Sequence, residues 1–163
     1  MGKLSALAVA LAGCAEPPAA VVRFEAASDA CITQESEWFE GLARVWLSAR
    51  SEPAEEAIAH SCVEAAGAAG WADLEAALRG DGTLLADMPV GPPFHLYLLG
   101  VHEDGCPGET GPRTGDIGFC AYTVDPVVLE PEKEVTVEMR RYCFGLLDAD
   151  GCFERAARDR PDG

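Results

Sequence analysis

Lysine is nearly missing from this chain: Lys3 and Lys133 are the only two, against ten arginines. All basic residues together number 12 and the acidic ones 28, for a formal net charge of −16. A field of that sign repels phosphate backbones and excludes nucleic acid as a partner. It also disfavours lying flat on anionic lipid, and its plain role is solubility and mutual repulsion. Aromatic residues are scarce at 7%, so Leu, Val and Ala must supply most of the packing. Signature motifs are missing too. There is no Gly-x-Ser-x-Gly elbow, no His-Glu-x-x-His and no Gly-rich loop that would cradle a phosphate. No Cys-x-x-Cys occurs, and no His stands at ligand spacing from a cysteine pair, which argues against structural zinc. Neither internal repeats nor low-complexity tracts interrupt the chain beyond a few Ala-rich patches.

What is present fits one globular domain. The chain has 163 residues, 48% of them hydrophobic and 25% charged, a composition that folds. A domain of this size buries roughly 70% of the surface its unfolded chain exposes.

The N-terminus carries the most specific pattern. Met1-Gly2-Lys3 is a short positive start, followed by an apolar run from Leu4 to Leu11 and then Ala12-Gly13-Cys14. As a helix that run spans roughly 12 Å, against about 30 Å of bilayer hydrocarbon, so it is too short to be an anchor and fits the apolar core of a secretory signal. Leu11-Ala12-Gly13-Cys14 resembles the lipobox of bacterial lipoprotein precursors. The resemblance covers only the leader. It implies cleavage before Cys14, a diacylglyceryl group on the Cys14 thiol, and a mature chain held outside the cytoplasm on a membrane. Two acyl chains suffice for stable anchoring. Ala15 follows the cysteine, which in that family points away from inner-membrane retention and toward the outer membrane or cell surface. The leader of 13 residues is shorter than the usual 15 or so. Residues 14–20, with Glu16-Pro17-Pro18, read as a stiff lipidated tether. The globular domain is then expected over 21–153 and a flexible tail over 154–163.

Seven cysteines occur, and setting Cys14 aside leaves an even six: Cys31, Cys62, Cys106, Cys120, Cys143 and Cys152. In a compartment that permits disulfides these read as three bridges, with 15 possible connectivities. Local closure favours Cys106 with Cys120 across a Gly- and Pro-rich loop, and Cys143 with Cys152 across the turn Asp148-Ala149-Asp150-Gly151. Cys31 and Cys62 remain for each other.

Element patterns favour a mainly β fold. Val21 to Ala26 reads as a first strand, 83–88 as another, and Phe94 to Val101 as a long buried one. Shorter strands are expected at 119–122 and 126–130. Val135 to Arg140 alternates cleanly, one face buried and one wet. Trp71, Leu74 and Leu78 fall on one helical face before Gly80, which predicts a short helix around 71–79. Residues 36–66 are open. Phe39, Leu42, Trp46 and Ala49 recur at helical spacing, Glu52-Pro53 could start a helix and Gly67 could close one. Yet 42–49 and 58–64 serve equally well as strands. The run of strands and turns over 83–140 resembles the transthyretin-like and carboxypeptidase-regulatory-like sandwiches of bacterial surface lipoproteins. That resemblance implies strands for the open segments. The expected fold is therefore a single disulfide-stapled antiparallel β-sandwich, the alternative being α+β with helices in 36–79.

Candidate sites are few. His95 alternates with Phe94 and Leu96 and so faces away from the side they share, while His102-Glu103-Asp104 ends the strand. A base and carboxylates there would be the machinery of a hydrolase, but adjacent charges at a strand end usually form a solvated turn. Ser61 beside His60 makes no triad, which is defined by spatial geometry. Asp148 and Asp150 resemble the opening of a calcium loop, but position 12 of that loop would be Asp159, beyond Cys152. Trp38, Trp46 and Trp71 serve as core more readily than as a glycan-stacking platform. The expectation is a lipid-anchored, non-enzymatic binding or structural module of the cell envelope, with no catalytic residue, cofactor or metal. Its partners would be the membrane, through Cys14, and an envelope protein or glycan. The alternatives are an extracytoplasmic hydrolase and a calcium-dependent surface module.

Overall fold

The computed structural model describes residues 19–25, 35–52, 55–80, 88–102, 105–108, 111–112, 117–131, 133–142 and 149–160. Among them the chain is mainly β, with one curled, mixed, six-stranded sheet and three helices. The elements are β1 (Ala19–Phe24), α1 (Glu35–Phe39), β2 (Arg44–Arg50), β3 (Ala59–Glu64), α2 (Trp71–Gly80), β4 (His95–Val101), β5 (Ile117–Tyr122), β6 (Glu134–Tyr142) and α3 (Ala149–Arg158). The sheet runs β1-β6-β5-β4-β2-β3. Only β1 and β6 pair in parallel; the other neighbours are antiparallel.

Residues 44–50 and 59–64, left open by periodicity, are strands. Val45 to Arg50 is buried on both sides of the chain, which suits a central strand covered on both faces. β4 is buried along its whole length for the same reason. β3 is an edge strand and shows it: only Val63 is buried. Gly67, at φ 93°, lies in the turn after β3 rather than at the end of a helix.

One face of the sheet carries the larger core. Val45, Leu47, Leu96, Leu98, Phe119, Ala121, Val137 and Met139 point into it, and α2 covers it with Trp71, Leu74 and Leu78, the stripe expected from sequence. Gly70 and Asp73 set the start of α2: Leu74 N–H donates to Gly70 O at 3.0 Å, and Asp73 accepts from Ala69 N–H at 3.0 Å. At the far end of the sheet Glu75 takes the N–H of Phe24 at 2.8 Å, satisfying a donor on edge strand β1. Four rings, Phe24, Phe39, Trp71 and Phe119, meet at centroid distances of 4.7–5.4 Å. Phe119 lies across Gly100, its partner on β4, so closely that a Cβ there would overlap the ring.

The opposite face carries a thinner core of Trp46, Tyr97, Leu99, Val101, Cys120 and Tyr122, covered by Ala149, Cys152, Phe153 and Ala156 of α3. Two layers therefore pack on one curled sheet, and the expected mainly β, disulfide-stapled fold with a short helix around 71–79 is what forms, its sheet mixed and not wholly antiparallel. Three local expectations change. Residues 126–130 form only isolated bridges, Val127 to Phe94 and Leu129 to Val90. β1 begins at Ala19, inside the expected tether. The tail from 154 is not loose as far as Arg160: it continues α3 to Arg158, because Phe153 and Ala156 are buried on the sheet. The strand expected at 83–88 lies, apart from Met88, outside the described residues.

Candidate functional site

The α3 face of the sheet is where chemistry-bearing side chains collect. Strand register explains why. Cys62 on β3 pairs with Trp46 on β2, Trp46 with Leu99 on β4, Leu99 with Cys120 on β5, and Cys120 with Tyr142 on β6. These five side chains form one row across the sheet and project to the same face. Cys152 of α3 comes down onto the row and bonds to Cys120, with their Cα atoms 6.1 Å apart. Both cysteines are fully buried.

This pairing corrects two expected bridges. Cys120 bonds neither to Cys106 nor across its own loop, and Cys152 does not bond to Cys143. From Ala149 the chain is helical, which sets Cys152 over the sheet. Cys62 and Cys106 are free thiols, half-buried and exposed respectively. Cys62, as a free thiol, is not bridged to Cys31 as expected. Cys14, the expected lipidation site, and Cys31 and Cys143 lie outside the described residues.

Around that apolar centre runs a polar rim that docks the end of α3. Tyr122 Oη donates to Asp159 Oδ2 at 2.6 Å, and Arg140 Nη1 reaches the same oxygen at 3.3 Å. Arg155 Nε pairs with Asp159 Oδ1 at 3.2 Å. Burial alone would raise the Asp159 carboxyl, but these hydrogen bonds and positive charges outweigh it and hold it below its ordinary value. The Tyr122 hydroxyl is pushed up, first by burial and then by Asp159. On the other side Arg160 donates to Glu52 at 2.6 Å and to Tyr97 Oη at 3.2 Å. Burial raises the Tyr97 hydroxyl against that cation. Arg50 lies 3.9 Å over the ring of Phe153 and donates to Glu55 O at 2.6 Å. Burial lowers the Arg50 guanidinium, opposed by Tyr97 and Asp150.

The histidines do not converge. His95 begins β4 and His102 follows its end, which separates them by roughly 20 Å at strand rise. His95 is buried, with Nδ1 3.4 Å from Thr123 O. Burial first, and Arg160 next, lower its ring below the ordinary histidine value. His102 is exposed and packs against Gly118; its neighbours Glu103 and Asp104 lie outside the described residues. His60 of β3 sits opposite Ser48 of β2, and Ser61 points to the other face of the sheet. Asp150 occupies the first turn of α3, near Arg50, and Asp148 lies outside the described residues. Trp46 and Trp71 are core residues on opposite faces of the sheet, and Trp38 packs against the core that holds Trp71.

An open cleft of about 290 Å³ lies at the β6 side, between the 123–128 segment and the start of β6. Glu25, Asp125 and Glu138 supply carboxylates, while Thr123, Thr136 and Val128 line the rest. Glu25 is already engaged, its carboxylate accepting from Arg140 Nε at 3.1 Å and its backbone oxygen accepting from Arg141 Nη2. Among the described residues no group of three or more His, Cys, Asp or Glu is placed to hold a metal ion. Nor is any described helix long and apolar enough to cross a membrane. Comparison of the chain with protein-family models, with curated proteins and with solved structures finds no match.

Proposed function

We propose that this chain is a lipid-anchored extracytoplasmic domain, tethered through Cys14, that serves the cell envelope as a non-enzymatic binding or structural module. The observation that carries the reading is the buried bond between Cys120 and Cys152, which joins the sheet to its covering helix. Disulfides used this way persist in oxidising compartments and are rare in the cytosol. The lipobox-like Leu11-Ala12-Gly13-Cys14 supplies the address that such a bond requires. The polar groups of the α3 face are spent on one another, in ion pairs that dock the helix, which suits a scaffold better than a reaction centre. The strong negative charge favours an uncharged or cationic partner, such as an envelope protein or glycan.

The test of the address is the intact mass of detergent-extracted protein, before and after reduction with thiol alkylation. The expected species starts at Cys14, carries acyl groups, and releases further thiols on reduction, those of Cys120 and Cys152 among them. A full-length, unlipidated chain whose cysteines are all alkylated without reductant would end the proposal. For the module itself, the expected result is that deletion weakens envelope integrity and that the purified domain binds an envelope protein or glycan. Intact envelopes together with no such binding would remove that part of the reading.

A further inference from the structure

We propose that Cys62 and Cys106 are a second disulfide pair, a reversible clip that ties the chain around Cys106 to edge strand β3. Three observations place them together. Cys62 stands at the β3 end of the row that runs through Trp46 and Leu99 to Cys120, and it projects to the α3 face. The segment that carries Cys106 returns over the same row, for a Cβ on Gly111 would lie 3.1 Å from Trp46 Cη2. The two thiols are within hydrogen-bonding reach of each other. Cys120–Cys152 and Cys62–Cys106 would thus flank Trp46 and Leu99, one fastening α3 over the row and the other fastening the loop.

The two sulfurs are unlike in a way that assigns their roles. Cys106 is exposed and Cys62 half-buried. Burial and the neighbouring Cys106 push the Cys62 thiol up to about 12, with Arg44 acting in the opposite direction. Cys106 is therefore the entry thiol. Its thiolate attacks a disulfide-bearing oxidant such as oxidised glutathione, forming a mixed disulfide and releasing one glutathione thiolate. Once Cys106 is capped, its opposition to charge on Cys62 is gone. The Cys62 thiolate then attacks the Cys106 sulfur and expels the second glutathione. Two electrons pass to the oxidant, and the two thiol protons end on the two glutathiones. Exposure of Cys106 makes this bond the first to open under reductant, whereas Cys120 and Cys152 are both fully buried.

The full chain, unmutated, is equilibrated in glutathione buffers of increasing oxidised fraction, its thiols blocked, and its tryptic peptides mapped without reduction. Cleavage after arginine and lysine puts Cys62 in peptide 51–79, Cys106 in 80–113 and Cys120 in 114–133. The expected result is a cross-linked 51–79/80–113 pair, with alkylation lost at both cysteines. On back-titration with dithiothreitol this pair should open at a lower concentration than the link from 114–133 to the peptide holding Cys152. Alkylated Cys62 and Cys106 throughout, a Cys106–glutathione adduct that never resolves, a link from either residue to another cysteine, or earlier opening of the buried bond would each overturn the proposal. Oxidised glutathione supplies the oxidant in solution, so the outcome is independent of whether the protein is lipid-anchored.

Discussion

Replacing both Cys120 and Cys152 by alanine should cost this protein a large part of its stability, and by an amount that can be worked out. The two residues are 32 positions apart, and the chain-entropy relation for a loop of that length gives about 4 kcal/mol. Both sulfurs are fully buried among Trp46, Leu99 and Phe153, so their removal also loosens packing, by about 1 kcal/mol each at ordinary hydrophobic transfer values. Alanine leaves no polar atom behind, so no unsatisfied hydroxyl adds to the loss. With a urea slope of about 2 kcal/mol/M, the midpoint should fall by roughly 2–3 M. The slope itself should rise slightly, because the unfolded chain is freed to expand. Hydrogen exchange followed residue by residue locates the effect. Amides of α3 should lose protection first, because the bond is their covalent hold on the sheet, while β4 should follow global unfolding. A midpoint drop under about 0.5 M, with α3 protected as well as β4, would refute the reasoning. Phe153, Ala156 and the Asp159 ion pairs would then hold α3 without help.

Other perturbations probe other joints of the fold. Gly100→Ala sets a methyl group against the Phe119 ring and should destabilise by about 1–3 kcal/mol in thermal or urea unfolding; a neutral result would mean the ring has room to turn. Phe153→Ala removes the ring that meets Tyr97 at 4.9 Å and Arg50 at 3.9 Å, and should cost about 3–5 kcal/mol; a loss under about 1 kcal/mol would show α3 docked by its ion pairs alone. Stability should fall in two acid windows. His95 has a folded pKa below its unfolded value of 6.5, so its contribution is complete above 6.5 and declines as pH falls from there toward the folded value. Asp159 is likewise depressed from 3.8, so its contribution is complete above 3.8 and is lost as pH falls through its folded value. In unfolding free energy measured against pH, His95→Gln should flatten the upper window and Asp159→Asn the lower; a curve unchanged by both variants would contradict these assignments.

Most of the sheet was legible in the order of residues. Val135 to Arg140 alternates in sequence and in burial, and the Trp71-Leu74-Leu78 stripe covers the larger core as its spacing requires. Segment 44–50 resisted because a central strand buried on both faces loses the alternation that marks a strand, and 59–64 because an edge strand with one buried residue shows little of it. Only their neighbours decide them. β2 lies between β3 and β4, and both its hydrogen-bonding edges are taken.

The helix that covers the second face carries its signal in the sequence. Ala149, Cys152, Phe153 and Ala156 stand at i, i+3, i+4 and i+7, with Asp150 in the first turn and Arg155 and Arg158 in the last, as the helix dipole favours. Asp148-Ala149-Asp150-Gly151 also has turn composition, and a turn there would make Cys143 and Cys152 neighbours. Local closure fails here for a physical reason. The separation between two cysteines along the chain sets the entropy of closing them, but which cysteines meet is set by strand order and register. Cys62 and Cys120 share a row only because β3, β2, β4 and β5 are neighbours in that order, and the chain must cross over β2 between β3 and β4 to make them so. Cys106 and Cys152 then reach the row from a loop and a helix that arrive on the same face. Both staples are consequences of topology, and each binds a covering segment to the sheet rather than closing the loop in which it lies.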